Sequence, residues 1–211
     1  LQHEPFDIVL PLGISFFTFQ QISYLIDIQR GTASRYRFAD YALYVSFFPQ
    51  LIAGPIVRHN EVIAQYTFDP YRRGLAERLA RGSILLLIGL AKKFIVADEA
   101  AVIADPVFAA VAAGHLIGAE QAWIGLFAFT VQIYFDFSAY SDMAIGIGAL
   151  FGVILPENFN APYRAKSIAQ FWRSWHITLS QFLRDYLYIP LGGNRHGRIR
   201  EYAALVVTML L

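Results

Sequence analysis

From Ile8 to Ile26 the chain runs for 19 residues without a charge, and from Tyr41 to Val57 it does so again for 17. About 20 apolar residues are what an α-helix needs to cross the hydrocarbon core of a bilayer. Neither stretch reads as a plain lipid-facing helix. The first carries Pro11, Gly13, Gln20 and Gln21, and the second is interrupted by Pro49 and Pro55 within FFPQLIAGPIVR. Polar groups at membrane depth need partners from protein or from a water-lined cavity. The second stretch is therefore either a re-entrant, broken segment or a proline-kinked helix with no functional role. Arg30, Arg35 and Arg37 follow the first stretch and form a basic cluster of the kind that stays cytoplasmic.

Composition agrees with membrane burial. Charged residues make up 16% of the 211, against about 25% in an average soluble domain. Hydrophobic residues reach 56% and aromatics 16%, a balance that excludes disorder. A net charge of +1 leaves no surplus to neutralise phosphates, which argues against a nucleic-acid binder. The class expected is an all-α, polytopic membrane protein, a helical bundle with re-entrant or broken segments. The absence of cysteine removes disulfides, thiolate zinc sites and thiol nucleophiles. His3, His59, His115, His176 and His196 are too scattered for a metal site, and there is no HExxH, GxGxxG or P-loop. The chain opens on Leu1 and closes inside the apolar run Tyr202 to Leu211, so residues 1–211 are expected to be an internal fragment of one transmembrane domain.

Between these landmarks the organisation is that of helices and short polar connections. Asn60 to Arg81 reads as a basic surface connection. Ser83 to Ala91 and Phe94 to Ala97 form a helix that brackets Lys92 and Lys93, which can snorkel to the interface. Asp98, Glu99 and Asp105 suggest an acidic loop, and Pro106 to Ala119 a short or interfacial helix. Gln121 to Phe135 and Met143 to Leu155 are one bent helix or two packed ones. The small residues of IGIGALFG allow close helix approach there. PENFNAP, Pro156 to Pro162, is a loop, and PLGGNRHGR, Pro190 to Arg198, is a turn-rich basic one.

The chemically informative stretch is SIAQFWRSWHITLSQFLRDYLYIPLGGNR, Ser167 to Arg195. Ser167 and Gln170 make an S-x-x-Q capping box, and apolar residues at spacings of three and four predict one amphipathic helix to about Leu187. Arg173, His176, Ser180 and Arg184 recur on another face, a row of hydrogen-bonding groups set between large aromatics. Arg173, one turn away, would oppose protonation of His176 and favour the neutral imidazole of a general base. The same pattern also suits an interfacial helix with Trp and Arg anchors and a solvated histidine. Asp136 and Asp142 lie between apolar runs. An ionisable group inside a membrane points to function, yet each also suits a helix brace. Asp185 beside Arg184 predicts an ion pair that ties the helix to the next loop. The remaining histidines, in loops or at segment ends, carry no expectation of chemistry.

Three stretches, PLGISFFTFQQISYLIDIQRG, YVSFFPQLIAGPIVR and NFNAPYRAKSIAQFWRSWHITLSQFLRDYLYIPLGGNR, together resemble the membrane-bound O-acyltransferase family, most closely its bacterial branch that O-acetylates alginate and related exopolysaccharides. The resemblance spans about Val9 to Arg195 and rests above all on W-x-x-W-H-x-x-L-S-x-F-L-R-D-Y-x-Y-I-P-L-G-G. It implies a multi-helix fold around a tunnel, in the bacterial inner membrane. It implies transfer of an acetyl or other acyl group from a cytoplasmic thioester, acetyl-CoA or an acyl carrier, to hydroxyls of an exported polysaccharide. No tightly bound cofactor or metal is implied, and no nucleic acid. The implied partners are the lipid bilayer, the polysaccharide acceptor and an extracytoplasmic or periplasmic acetylation protein. Of the two polar positions in the family's active site, the His or Asn of the W-H-x-x-L-S motif is His176 here. The other, the near-invariant and principal catalytic histidine in a G-L-W-H-G context, is expected downstream of Leu211 and so outside this fragment. Under this resemblance His176 is catalytic. Arg173, Trp175, Ser180, Asp136 and Asp142 line the substrate or tunnel. Arg184, Asp185, Asn194 and Arg195 are architectural or touch the donor, as does the basic loop 192–200. The alternatives are a transporter subunit, suggested by the broken segments and intramembrane aspartates, and a non-catalytic scaffold of a polysaccharide-modifying complex.

Overall fold

The computed structural model describes residues 13–51, 54–67, 69, 71–195 and 197–210. Pro11, His3 and His196 lie outside these. Among the described residues the secondary structure is helical throughout, with no strand. The main helices are α1 (Ile14–Gln29), α2 (Phe38–Ser46), one-turn α3 (Phe48–Leu51) and α4 (His59–Val62), α5 (Leu75–Ala91), α6 (Asp98–Ala112), α7 (Ala119–Leu150), α8 (Ile168–Trp172), α9 (Ile177–Leu183) and α10 (Arg198–Met209).

A helical hairpin forms the frame. α5, a six-residue π-helical stretch Lys92–Ala97 and α6 follow one another without interruption, and α7 packs antiparallel along them. α7 is a single 32-residue helix, which decides between the one-helix and two-helix readings of 121–155. At about 1.5 Å per residue it is some 48 Å long, and it is the one described helix long and apolar enough to cross a membrane. The acidic loop expected at 98–105 is not a loop. Asp98 and Glu99 lie within this continuous helical run, and Asp98 faces Lys93. Glycines let the two arms touch backbone to backbone: a Cβ on Gly82 would lie 2.8 Å from the Gly146 carbonyl, and one on Gly146 would lie 2.7 Å from that of Gly82.

Charge pairs pin the same contact. Lys92 Nζ reaches Asp142 Oδ2 at 2.6 Å, and Lys93 Nζ reaches Asp136 Oδ1 at 2.7 Å and Asp98 Oδ1 at 2.8 Å. The lysines expected to snorkel towards headgroups are held instead by carboxylates of the hairpin.

The outer surfaces are apolar. Leu87, Phe94, Val102, Trp123 and Phe127 all stand exposed on the hairpin. α1 has inverted polarity: Gln20 and Ser23 are buried, while Leu25 and Ile22 face outwards. A helix that hides amides and shows leucine has the pattern of a solvent made of hydrocarbon.

The stretch around Pro49 and Pro55 is broken, not a kinked helix. α2 stops at Ser46, α3 makes one turn, and the chain then runs extended from Pro55. A Cβ on Gly54 would lie 2.6 Å from Gln50 Cα, so only glycine lets the chain fold back this closely. Several of the freed polar groups find partners inside the protein, although the buried Gln50 Oε1 has none among the described residues. Gln50 Nε2 donates to the Tyr44 carbonyl at 2.9 Å, Tyr44 Oη donates to the Val57 carbonyl at 2.8 Å, and the Ile56 N–H donates to Thr178 Oγ1 at 2.9 Å. Tyr44, Phe47, Val57, Val62, Val153 and Leu155 pack into a core beneath it.

Candidate functional site

Ser167 begins a helix as its capping box predicts: its Oγ accepts from the Gln170 N–H at 3.2 Å. The single amphipathic helix to Leu187 does not follow. α8 ends at Trp172, α9 begins at Ile177, and a π-helical turn Arg184–Tyr188 closes the run. At the break, His176 adopts a left-handed backbone with φ 42° and ψ 55°. That conformation is rare for a side-chain-bearing residue, though histidine tolerates it better than most, and strain of this kind persists only where the surroundings enforce it.

The enforcing residue is Asn158, in the loop PENFNAP. Its backbone carbonyl accepts from the Ile177 N–H at 2.9 Å, and its Oδ1 accepts from the Thr178 N–H at 3.3 Å. These are two of the orphan donors at the start of α9, so a loop 18 residues upstream caps this helix from outside. Asn158 Oδ1 also accepts from Thr178 Oγ1 at 2.9 Å and meets His176 Nδ1 at 3.1 Å, while its Nδ2 donates to Ser141 Oγ of α7 at 3.1 Å. Asn158, Ser141 and Thr178 are all buried.

His176 is 7% exposed, which overturns the solvated-histidine reading. Its ring meets Phe137 edge-on at 4.8 Å between centroids, with Phe16 and Phe159 stacked further out at 6.1 and 6.4 Å. Burial among these rings pushes the imidazole pKa down to about 4. The sequence expectation of a neutral imidazole is thus met by desolvation. Arg173 is exposed and is not its cause. Among the described residues Nε2 of His176 makes no hydrogen bond. Trp175 stands beside it in an aromatic cluster, stacked on Phe171 at 5.5 Å and edge-on to Phe159 at 5.2 Å.

The other sequence candidates fall elsewhere. α9 turns Thr178 and Phe182 inwards, while Ser180 and Arg184 line a groove of about 540 Å³ with Trp172, Arg173, Leu205 and Thr208. His176 is not part of that lining. Ser180 Oγ donates to the Trp172 carbonyl at 2.9 Å, bridging the break between the two helices. Asp136 and Asp142 are the ion-paired carboxylates of the hairpin, six residues apart and on different lysines. Asp185 accepts from Arg184 Nε at 2.6 Å as expected, and also pairs with Arg58. Burial works against its ionisation, but the two guanidiniums outweigh it and hold the carboxyl below its usual range. Asn194 and Arg195 are exposed in the turn before α10.

A second buried imidazole has no counterpart in the sequence expectations. His59, 2% exposed, places Nε2 at 3.1 Å from Asp27 Oδ2 and Nδ1 at 3.0 Å from Tyr36 Oη. Tyr186 Oη donates to the same Asp27 oxygen at 2.7 Å. The only sequence signal was a lone carboxylate, Asp27, closing the uncharged run 8–26. No group of three or more metal-ligating side chains occurs among the described residues.

A family model described as MBOAT, membrane-bound O-acyltransferase family, matches residues 30–211. The chain is 47% identical over 205 residues to the probable alginate O-acetylase AlgI of Pseudomonas aeruginosa, covering 97% of the chain and 38% of that relative. It is 45% identical over 234 residues to the peptidoglycan O-acetyltransferase of Helicobacter pylori, covering 99% of the chain and 44% of the relative. The teichoic acid D-alanyltransferase of Bacillus subtilis is 28% identical over 188 residues, covering 89% of the chain and 47% of the relative. The chain thus spans less than half the length of these relatives.

Proposed function

The chain belongs to the membrane-bound O-acyltransferase family, and from that premise we propose that its full-length protein moves an acetyl group from a thioester donor to hydroxyls of an exported cell-envelope polysaccharide. Alginate is the acceptor favoured by the AlgI relatives. The relatives above are acyl-transfer proteins by name, which leaves the transporter and scaffold readings without support. The setting proposed is a multi-pass protein of the bacterial inner membrane. The donor is a cytoplasmic acetyl-CoA or acyl-carrier thioester, and an extracytoplasmic protein takes part downstream.

The observation that carries the mechanism is the desolvated imidazole of His176, with Nδ1 engaged and Nε2 unbonded among the described residues. A hydroxyl is a weak nucleophile at neutral pH. In the proposed reaction its oxygen attacks the thioester carbonyl carbon while Nε2 takes its proton. The tetrahedral intermediate then collapses, the C–S bond breaks, and the proton passes from the imidazolium to the departing sulfur, leaving an ester and a free thiol. General-base help of this kind contributes about 10²–10⁴-fold. A low imidazole pKa keeps the base unprotonated at neutral pH, and the surrounding Phe16, Phe137 and Phe159 hold back the water that would hydrolyse the thioester. The Trp175 indole N–H, in the aromatic cluster beside His176, is the donor assigned to the oxyanion. The test is His176→Ala in the full-length protein, with acetyl ester measured on the secreted polysaccharide. Loss of ester at normal membrane abundance supports the assignment, and wild-type ester content overturns it.

A further inference from the structure

We propose that Asn158 is a positioning residue that fixes the tautomer of His176, acting through the imidazole rather than on the substrate. The inference rests on the reading of His176 as the base and adds how that base is prepared.

Some groups around Asn158 have hydrogen-bonding roles with no freedom. A backbone N–H can only donate, and that of Thr178 points at one end of the Asn158 carboxamide at 3.3 Å. That end must be the oxygen. The other end is then the NH₂ group, which meets Ser141 Oγ at 3.1 Å, and the hydroxyl of Thr178, whose oxygen already accepts from the Ile56 N–H at 2.9 Å, donates to the carboxamide oxygen at 2.9 Å. Three separate elements, α7, α9 and the broken segment after Gly54, thus set the amide in one orientation. The oxygen so fixed is the atom 3.1 Å from His176 Nδ1. An amide oxygen cannot donate, so Nδ1 must carry the hydrogen. In a neutral ring the lone pair then resides on Nε2, the nitrogen a base uses.

The arrangement differs from the familiar carboxylate-oriented histidine in one respect: the partner is neutral. A carboxylate at this place would orient the ring equally well, yet would also stabilise its protonated form. A neutral amide orients the imidazole and leaves it a weak proton holder. The same residue, through its backbone carbonyl on the Ile177 N–H and its carboxamide oxygen on the Thr178 N–H, holds the left-handed turn that carries the ring inwards.

The experiment uses the full-length protein in membrane vesicles, with acetyl transfer to the polysaccharide followed against pH. Asn158→Asp keeps the acceptor oxygen and adds charge. It is expected to retain transfer within about tenfold at its optimum and to move the acid limb of the rate profile up by about one pH unit or more. Asn158→Ala is expected to lower kcat by about 10²-fold or more with KM little changed, part of the 10²–10⁴-fold range of general-base help. Adding it to His176→Ala should cause no further loss. An unmoved acid limb in Asn158→Asp overturns the proposal, and does so even if Asn158→Ala fails to accumulate. Wild-type kcat in Asn158→Ala also overturns it. If His176→Ala itself retains full activity, the base assignment fails first. If His176→Ala is inactive while both Asn158 variants behave as wild type, the positioning role alone fails.

Discussion

His176 and His59 are both buried, both sit at the start of a short helix, and both touch aromatic rings, yet they are prepared for opposite tasks. His59 has its two nitrogens committed, one to Asp27 and one to Tyr36, and Asp27 is held in turn by Tyr186. That ring ties α1, α4 and the turn after α9 into one unit. His176 has one nitrogen on a neutral amide and, among the described residues, the other unengaged, inside a cage of phenylalanines. Burial alone therefore does not mark an acid–base group. What separates the two is how many ring nitrogens the protein itself has already used.

Changing the two histidines in parallel tests this difference most directly. His176→Ala should lower acetyl transfer per molecule by about 10²–10⁴-fold, with thermal stability in detergent little altered. His59→Ala should do the reverse, lowering stability by about 1–3 kcal/mol as Asp27 loses a buried donor, with transfer per folded molecule preserved. Equal losses of activity in the two variants would erase the distinction.

The pH profile sharpens it. With the His176 pKa pushed down to about 4, the base stays free as pH falls from 7 to about 5, so kcat/KM should stay flat there and decline only on approach to pH 4. An acid limb near 6.5, the ordinary imidazole value, would place the ring in water. Tyr186→Phe removes one donor from Asp27 and is expected to cost about 0.5–1.5 kcal/mol in thermal unfolding, with no effect on that profile. The smallest effect belongs to Asp136→Asn, which removes a half-exposed ion pair with Lys93. It should change stability by less than about 1 kcal/mol and leave ester content at the wild-type level, which would set Asp136 among the braces of the hairpin.

The parts of this molecule that local chemistry decides were legible in the sequence. The Ser167 cap, the Arg184–Asp185 pair and the small-residue stretch 145–152 all act within a turn or two of chain or through one repeated spacing. The break at His176 was not legible. The apolar spacing carries on across it, and what stops α8 and restarts α9 is a pair of hydrogen bonds to Asn158, a residue no helical period connects to them. His59 was equally hidden, because its partners Asp27 and Tyr36 are brought to it from 32 and 23 positions away, and Tyr186 reaches Asp27 from 159. The pairing of Asp136 and Asp142 with Lys93 and Lys92 needed the antiparallel register of α5 and α7, which the sequence pattern alone leaves open.

The glycine crossing of α5 and α7 limits where this protein can bend. Ordinary packed helices slide by letting side chains change rotamers between them, but at Gly82 and Gly146 there is nothing in between to yield. The two arms behave as one strut, riveted along its length by Lys92 and Lys93. Any opening that lets an alcohol reach the His176 ring has to come from the lighter pieces around that strut, α1 with its Phe16, the loop 152–166 and the short helices α8 and α9.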